Sequence, residues 1–406
     1  MGYKNFPRNL FIVLATLVFL SVLTLIVENN SKYVTFDFWD RFQGLKESYG
    51  ASQYVIKNPE GWIPDEIVNA YAGAEYVKYG VSPILIAADT PPLGRYLIGG
   101  SALLTGNENL FILISALGSL IILYILGKKA FNSSIIAIIP VLLLSLEPLF
   151  RNQIKYTPLL DIMQLFFMLL AFLCFIYGRE KKISIRKVVL YFSLASVFLG
   201  LFIATKFYVT GITIVAAWYF VLLWNREYKK AVVLTFVLPI SIIVLLLNYI
   251  QLLFQGYSLR EFLGVQRYIF EYHTSQLIKP FAIWPFLLLN RWHVWWGNVP
   301  VLSDPQWRIT WPILTINAVI LGILYLLKQI PRNVYVEPLL VWVGMYIFFF
   351  SFGQFTARYL VILLPILYLL FFYSVWLIFV KKNNFLVETP LFLYKRITQL
   401  LRGYRE

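Results

Sequence analysis

Long apolar runs separated by short basic breaks set the pattern of this chain. A hydrocarbon core about 30 Å thick is crossed by roughly 20 apolar residues in a helix. Ten stretches approach that length: residues 9–27, 108–126, 135–150, 158–177, 188–204, 207–223, 231–253, 309–327, 338–352 and 358–380. The third and ninth are the shortest. The pattern predicts an all-α polytopic membrane protein with about ten transmembrane helices, an eleventh being allowed, and with amphipathic interfacial helices in its first outer loop.

The breaks orient the spans. Basic residues gather at Lys4 and Arg8, Lys128 and Lys129, Arg179 to Lys187, Arg226 to Lys230, Lys328 to Arg332, and from Lys381 onward. Lys and Arg favour cytoplasmic loops, which puts all six sets inside if the N-terminus is inside. An even number of spans then returns a basic cytoplasmic tail, 381–406, whose Lys395, Arg396, Arg402 and Arg405 face anionic headgroups. Two long segments remain outside: a first outer loop over 28–107 and a second outer segment over 254–308. Residues 1–406 read as a single integral membrane domain, expected in the plasma membrane of a prokaryote.

Composition agrees with this picture and narrows it. Hydrophobic residues make up 60% of the 406, only 14% are charged, and the mean hydropathy is +0.72, values that exclude a soluble domain. The net charge of +15 follows from the inner loops, so the implied partners are membrane lipids, and no nucleic-acid module is visible. The first span has a basic flank and no small-residue cleavage site, and is read as a retained anchor. The one cysteine, Cys174, lies in the fourth span, which excludes disulfides and cysteine zinc sites.

Candidate chemistry sits in the outer segments. Pro64 suits the first turn of a helix over 65–79, with Ile67, Tyr71, Ala74 and Val77 at a spacing for lying on the membrane. Asp65 and Glu66 fall in that first turn, where the helix dipole favours an ionised carboxylate that can accept a proton. The same placement is ordinary capping chemistry, so residue type alone leaves both readings open. A second helix is expected from Leu93 to Leu104, entered through Pro91-Pro92 and ended by Gly106-Asn107.

Five cations stand near outer ends of spans against the inside bias: Arg95, Arg151, Lys155, Lys206 and Arg358. Snorkelling to headgroups is the plainer reading of such residues, and a phosphate site is the alternative. Asp161, behind Lys155 in the fourth span, is costly in a bilayer unless it faces protein or water, and is a candidate to orient one of the cations. Trp39, Trp62, Trp284, Trp292, Trp295, Trp296, Trp307 and Trp311 suit a membrane interface, with a sugar-stacking role open to one or two of them. His273 and His293 are the only histidines, and His273 is a candidate contact to acceptor or phosphate. The spacing of Asp37-Phe38-Trp39-Asp40 is poor for a metal, and no metal site or required cofactor is expected.

The run from Asp65-Glu66 through Pro91-Pro92-Leu93-Gly94-Arg95 to Leu104-Thr105-Gly106-Asn107 resembles the first outer loop of dolichyl-phosphate-mannose protein mannosyltransferases and their prokaryotic relatives. Arg151 to Asp161, Ala204-Thr205-Lys206, Lys279-Pro280-Phe281-Ala282-Ile283-Trp284-Pro285, and Arg358-Tyr359 with Pro365 are similar to later segments of that family, in the same order. The resemblance implies a type C glycosyltransferase that takes a sugar from a polyprenyl or dolichyl phosphate donor on the outer face and inverts the anomeric centre. It implies Asp65 as base, Glu66 supporting the site or the acceptor, and Lys206, Arg358 and Arg95 on the lipid phosphate. The family has His before the proline pair and aminoarabinose transferases have Lys, where this chain has Thr90. The second outer segment is also too short for the soluble domain of eukaryotic members.

A mannosyl transfer to protein Ser or Thr, or to a glycolipid, is the leading expectation. The donor's phosphate is already an activated leaving group, so the enzyme need only position a hydroxyl, take its proton and stabilise the departing phosphate. A metal-dependent oligosaccharyltransferase-like enzyme would want acidic ligands on both outer segments and a large outer domain. A transporter would show related halves and charges at mid-bilayer.

Overall fold

Apolar runs without internal polar breaks leave the backbone one way to satisfy its amides in a bilayer, which is to close every bond within the segment as a helix. The computed structural model describes residues 6–57, 59, 61–274, 279–294, 301–353 and 355–380. Among these the only β feature is an isolated bridge between Trp292 and Leu302. The helices in chain order are α1 (Phe6–Glu28), α2 (Asn30–Tyr33), α3 (Phe38–Gly50), α4 (Asp65–Lys78), α5 (Leu93–Thr105), α6 (Leu110–Phe131), α7 (Ser134–Leu146), α8 (Pro148–Lys155), α9 (Asp161–Arg179) and α10 (Ile185–Thr205). There follow α11 (Gly211–Trp224), α12 (Tyr228–Val237), α13 (Pro239–Leu247), α14 (Ile250–Phe254), α15 (Leu259–Thr274), α16 (Ile283–Leu289), α17 (Thr310–Leu326), α18 (Glu337–Phe350) and α19 (Leu360–Val380). The expected tail 381–406, Lys4, Trp295 and Trp296 lie outside the described residues.

Each of the ten apolar stretches falls on one helix or on two or three successive ones. Six are long and apolar enough to cross a membrane: 8–28, 110–131, 161–179, 185–205, 228–247 and 357–378. A seventh, α7 with α8, bends by 57° between Leu146 and Pro148. The remaining three, 208–224, 310–326 and 337–350, are apolar but shorter. The chain is an integral multi-pass membrane protein, and α9 lies at its centre, packed on α10 and α6 with Ile162, Leu165, Met168, Phe172 and Ile176 fully enclosed.

The first loop is a packed unit. Pro64, extended in backbone, stands as the N-cap of α4, one position earlier than its expected place in the first turn. Helix α4 is buried from Val68 through Tyr76, and its partners over that stretch are α3 and α5 rather than lipid. The cause is a close crossing. A methyl group on Gly99 would stand 1.9 Å from the carbonyl oxygen of Gly73, so the two backbones meet with no side chain between them. Helix α5 keeps an exposed apolar edge at Leu103 and Leu104 and ends on Gly106, left-handed at φ 76°, as its sequence predicts.

Candidate active site

Four charged side chains from four separate parts of the chain form one alternating row. Asp65 is the first residue of α4, and its Oδ2 accepts from Arg358 Nη1 at 2.5 Å. Arg358 Nε lies 3.5 Å from Asp161 Oδ2, and the other oxygen of Asp161 binds the Lys206 ammonium. Asp161 opens α9 and Lys206 ends α10, two helices packed side by side, so the chain geometry places this pair. Exposure graduates along the row: Asp161 and Lys206 are buried, Arg358 is 36% exposed and Asp65 48%. The carboxylate nearest solvent is thus the one at the helix start.

A further ion pair stands beside the row. Arg95 on α5 reaches Asp89 at 3.0 Å, Asn69 Oδ1 at 3.2 Å and the carbonyl of Ala87, while Asn69 donates to Pro158 O at 3.2 Å. These bonds tie α4, α5 and the segment leading into α9 into one frame. Burial pushes the Asp65 carboxyl up, but Arg358, with Lys206 and Arg95 behind it, more than offsets this and holds it below the usual carboxylate range.

Two spaces open on the row. A small polar pocket of about 30 Å³ is bounded by Asp65, Asn69, Thr90, Arg95, Asp161, Lys206 and Arg358. A cavity of about 500 Å³ lies beyond it, walled by Phe207, Val209, Ile212, Phe348, Phe349 and Tyr346, with Lys206, Gln164, His273 and three threonines, Thr210, Thr213 and Thr274, among its polar lining. Lys206 belongs to both, and its ammonium also sits 4.9 Å from the Tyr359 ring centre. Thr90 Oγ1 and Gln164 Nε2 are buried there with no hydrogen-bond partner among the described residues. Such groups are costly to leave unpaired in a folded protein.

The other expected residues are placed as follows. Glu66 turns away from Asp65, as neighbours on a helix must, and lines a separate polar cavity of about 410 Å³ with Lys32, Arg41, Glu108, Asn109 and Thr157. Arg151 lies 3.6 Å from Glu28, and the Lys155 ammonium lies over the Tyr156 ring, so neither joins the row. His273 on α15 contacts Asp89 O at 3.1 Å and stacks near Phe207. Burial pushes its imidazole down to about 4, so it is neutral at ordinary pH. Trp284 donates to Ser351 Oγ at 3.1 Å and holds the α16 turn to the end of α18, away from the polar pocket. Among the described residues no three His, Cys, Asp or Glu side chains converge as a metal site would require.

Sequence reasoning missed Asn69, Gln164 and the role of Asp89 as partner to Arg95. Gln164 carried a readable signal: a polar residue inside a span, one turn after Asp161 on the same helix face.

A family model for dolichyl-phosphate-mannose-protein mannosyltransferase matches residues 109–260, which include Asp161 and Lys206. The expected resemblance is borne out. Among solved structures the fold is similar to ArnT from Cupriavidus metallidurans bound to undecaprenyl phosphate, with 18% identity, a TM-score of 0.56, and coverage of 78% of this chain and 56% of that one. It is also similar to the same protein in the apo state, with 16% identity, a TM-score of 0.57, and coverage of 78% and 55%. At such identities the likeness establishes a shared fold, and the chain spans a little over half the length of those structures. No curated protein matches the chain.

Proposed function

We propose that this protein is an inverting glycosyltransferase that moves a sugar from a polyprenyl phosphate to an acceptor hydroxyl on the outer face of the membrane. One observation carries the reading: a single buried ammonium, Lys206, lines both a polar pocket of ionic groups and an apolar cavity of about 500 Å³. That volume falls in the range of ligand sites, and a charged head joined to a hydrocarbon tail is the ligand that suits such a junction. The solved structure of ArnT that is similar in fold is bound to undecaprenyl phosphate, a lipid of this kind, which supports the reading.

In this mechanism Lys206 and Arg358 grip the donor phosphate, and the isoprenoid tail lies along Phe207, Phe348 and Phe349. The acceptor hydroxyl attacks the anomeric carbon from the Asp65 side, its proton passes to Asp65, and the carbon–oxygen bond to phosphate breaks. The leaving phosphate gains negative charge beside two fixed cations. Donor binding also prepares the base. Without donor, Arg358 holds Asp65 at low basicity, and a phosphate competing for Arg358 frees the carboxylate.

Mannose as the sugar, and protein Ser or Thr as acceptor, follow from the family resemblance, with a glycolipid acceptor as the second choice. Transfer needs no divalent metal in this reading, because a single phosphate departing beside two cations requires no further charge. The test is a panel of polyprenyl monophosphate and pyrophosphate sugars offered to purified protein in excess chelator. Turnover of a monophosphate mannose donor supports the proposal. Activity that appears only with pyrophosphate donors and added manganese contradicts it.

A further inference from the structure

The end of the helical bundle remote from Asp65 carries a second charged cavity, of opposite construction. Helix α9 runs from Asp161 to Arg179, which places Arg179 about 27 Å from the polar pocket at 1.5 Å per residue. Arg179 there binds Glu227 at 2.6 Å and Glu337 at 3.1 Å, and Glu227 also holds Lys230 at 3.1 Å. Glu227 and Glu337 are therefore already paired with cations of the bundle, and the nearby Glu180 is paired with Lys129. Beside them lies a cavity of about 510 Å³ bounded by Leu223, Trp224, Asn225, Tyr228 and three cations, Arg226, Lys328 and Arg332. None of the three forms an ion pair among the described residues.

We propose that this cavity binds the phosphate headgroup of an anionic membrane lipid such as phosphatidylglycerol. Two loops converge to build it. Arg226 follows α11 and Lys328 follows α17, each in left-handed backbone at φ 58° and 57°, which turns the chain sharply at the point where its cation is presented. The Lys328 ammonium sits 5.6 Å from the Trp224 ring centre. Helix neighbours of the cavity present an apolar outer face at Leu223, Phe236, Ile323 and Leu326, all exposed. A lipid with its headgroup in the cavity would lay its acyl chains along that face, a contact that a soluble phosphate has no means to make.

The experiment measures lipid retention by native mass spectrometry of the full chain, using phosphatidylglycerol and phosphatidylcholine as probes in the Arg358→Gln background, which keeps its fold and weakens the hold of the polar pocket on phosphate. Phosphatidylglycerol is retained in preference to phosphatidylcholine, and the Arg226→Gln, Lys328→Gln and Arg332→Gln changes each weaken retention roughly fivefold. A position-specific check needs no charge variant: brominated phosphatidylglycerol quenches fluorescence more than brominated phosphatidylcholine, and Trp224→Phe abolishes that difference. Equal retention of the two lipids, no loss in the triple variant, or no change in quenching with Trp224→Phe overturns the proposal. Displacement of the lipid by millimolar inorganic phosphate also overturns it, by assigning the cavity to a soluble anion.

Discussion

Asp65, Arg358, Asp161 and Lys206 form a row in which each charge depends on the next. Replacing Asp65 with Asn removes the proton acceptor with little change of shape. Transfer is expected to fall by about 10²-fold or more while polyprenyl phosphate still binds, which a coupled turnover and lipid-binding measurement would check. Lys206→Gln acts in the opposite sense, weakening donor binding directly and leaving Asp161 buried without its partner. Both lower affinity and lower expression are expected for it, whereas Arg358→Gln should lose affinity and keep its fold, because Arg358 is partly exposed. His273 gives a pH signature. It is neutral in the fold down to about 4 and protonates near 6.5 when unfolded, so the unfolded chain binds more protons in that window. Stability should therefore fall as pH drops from about 6.5 towards 4, and thermal melts of His273→Gln should show a flatter dependence. The sequence exposed Asp161, Lys206 and Arg358 because each breaks a rule of bilayer placement, and Asp65 because it opens an amphipathic helix in the first outer loop. Their order along one row was not readable, since it depends on which helices pack together.

At the scale of elements the site rests on the α4–α5 crossing. Apolar spacing and prolines disclosed both helices and their ends almost to the residue. Which faces they bury was not disclosed. Small residues at Ala70, Ala72, Gly73 and Ala74 can line a lipid-facing helix or a tight crossing, and only the partner Gly99 distinguishes the two. Gly99→Ala puts a methyl group into the α4 backbone, where no flexible side chain can yield. A cost of about 1–3 kcal/mol is expected, together with loss of transfer, because Arg95 on α5 would shift with respect to Asn69 on α4. Gly100→Ala on the same helix meets open space and should leave melting temperature and turnover unchanged, which makes the pair of variants a controlled comparison.

Across the whole molecule, hydropathy placed the ten apolar stretches on helices, six of them, or seven with the bent pair, long and apolar enough to cross a membrane. It did not foresee the 57° break near Glu147. The break falls at Glu147-Pro148, where the proline drives the residue before it into extended backbone, and the Glu147 carboxylate accepts there from distant partners, Trp311 Nε1 at 3.3 Å and Tyr368 Oη at 2.5 Å, which no local sequence discloses. The large apolar cavity was likewise invisible, being formed by Phe207, Phe348, Phe349 and their neighbours from segments more than 130 residues apart. It is this cavity, joined through Lys206 to the Asp65 pocket, that makes a lipid-linked donor the central claim. The most direct test follows a single turnover of purified protein with polyprenyl phosphate mannose and an acceptor, counting free polyprenyl phosphate against sugar transferred. The account predicts one lipid phosphate released per sugar, in chelator, with Asp65→Asn silent although the donor is bound. Sugar transfer by Asp65→Asn at the rate of the unaltered protein, or lipid binding that survives both Lys206→Gln and Arg358→Gln, would contradict it.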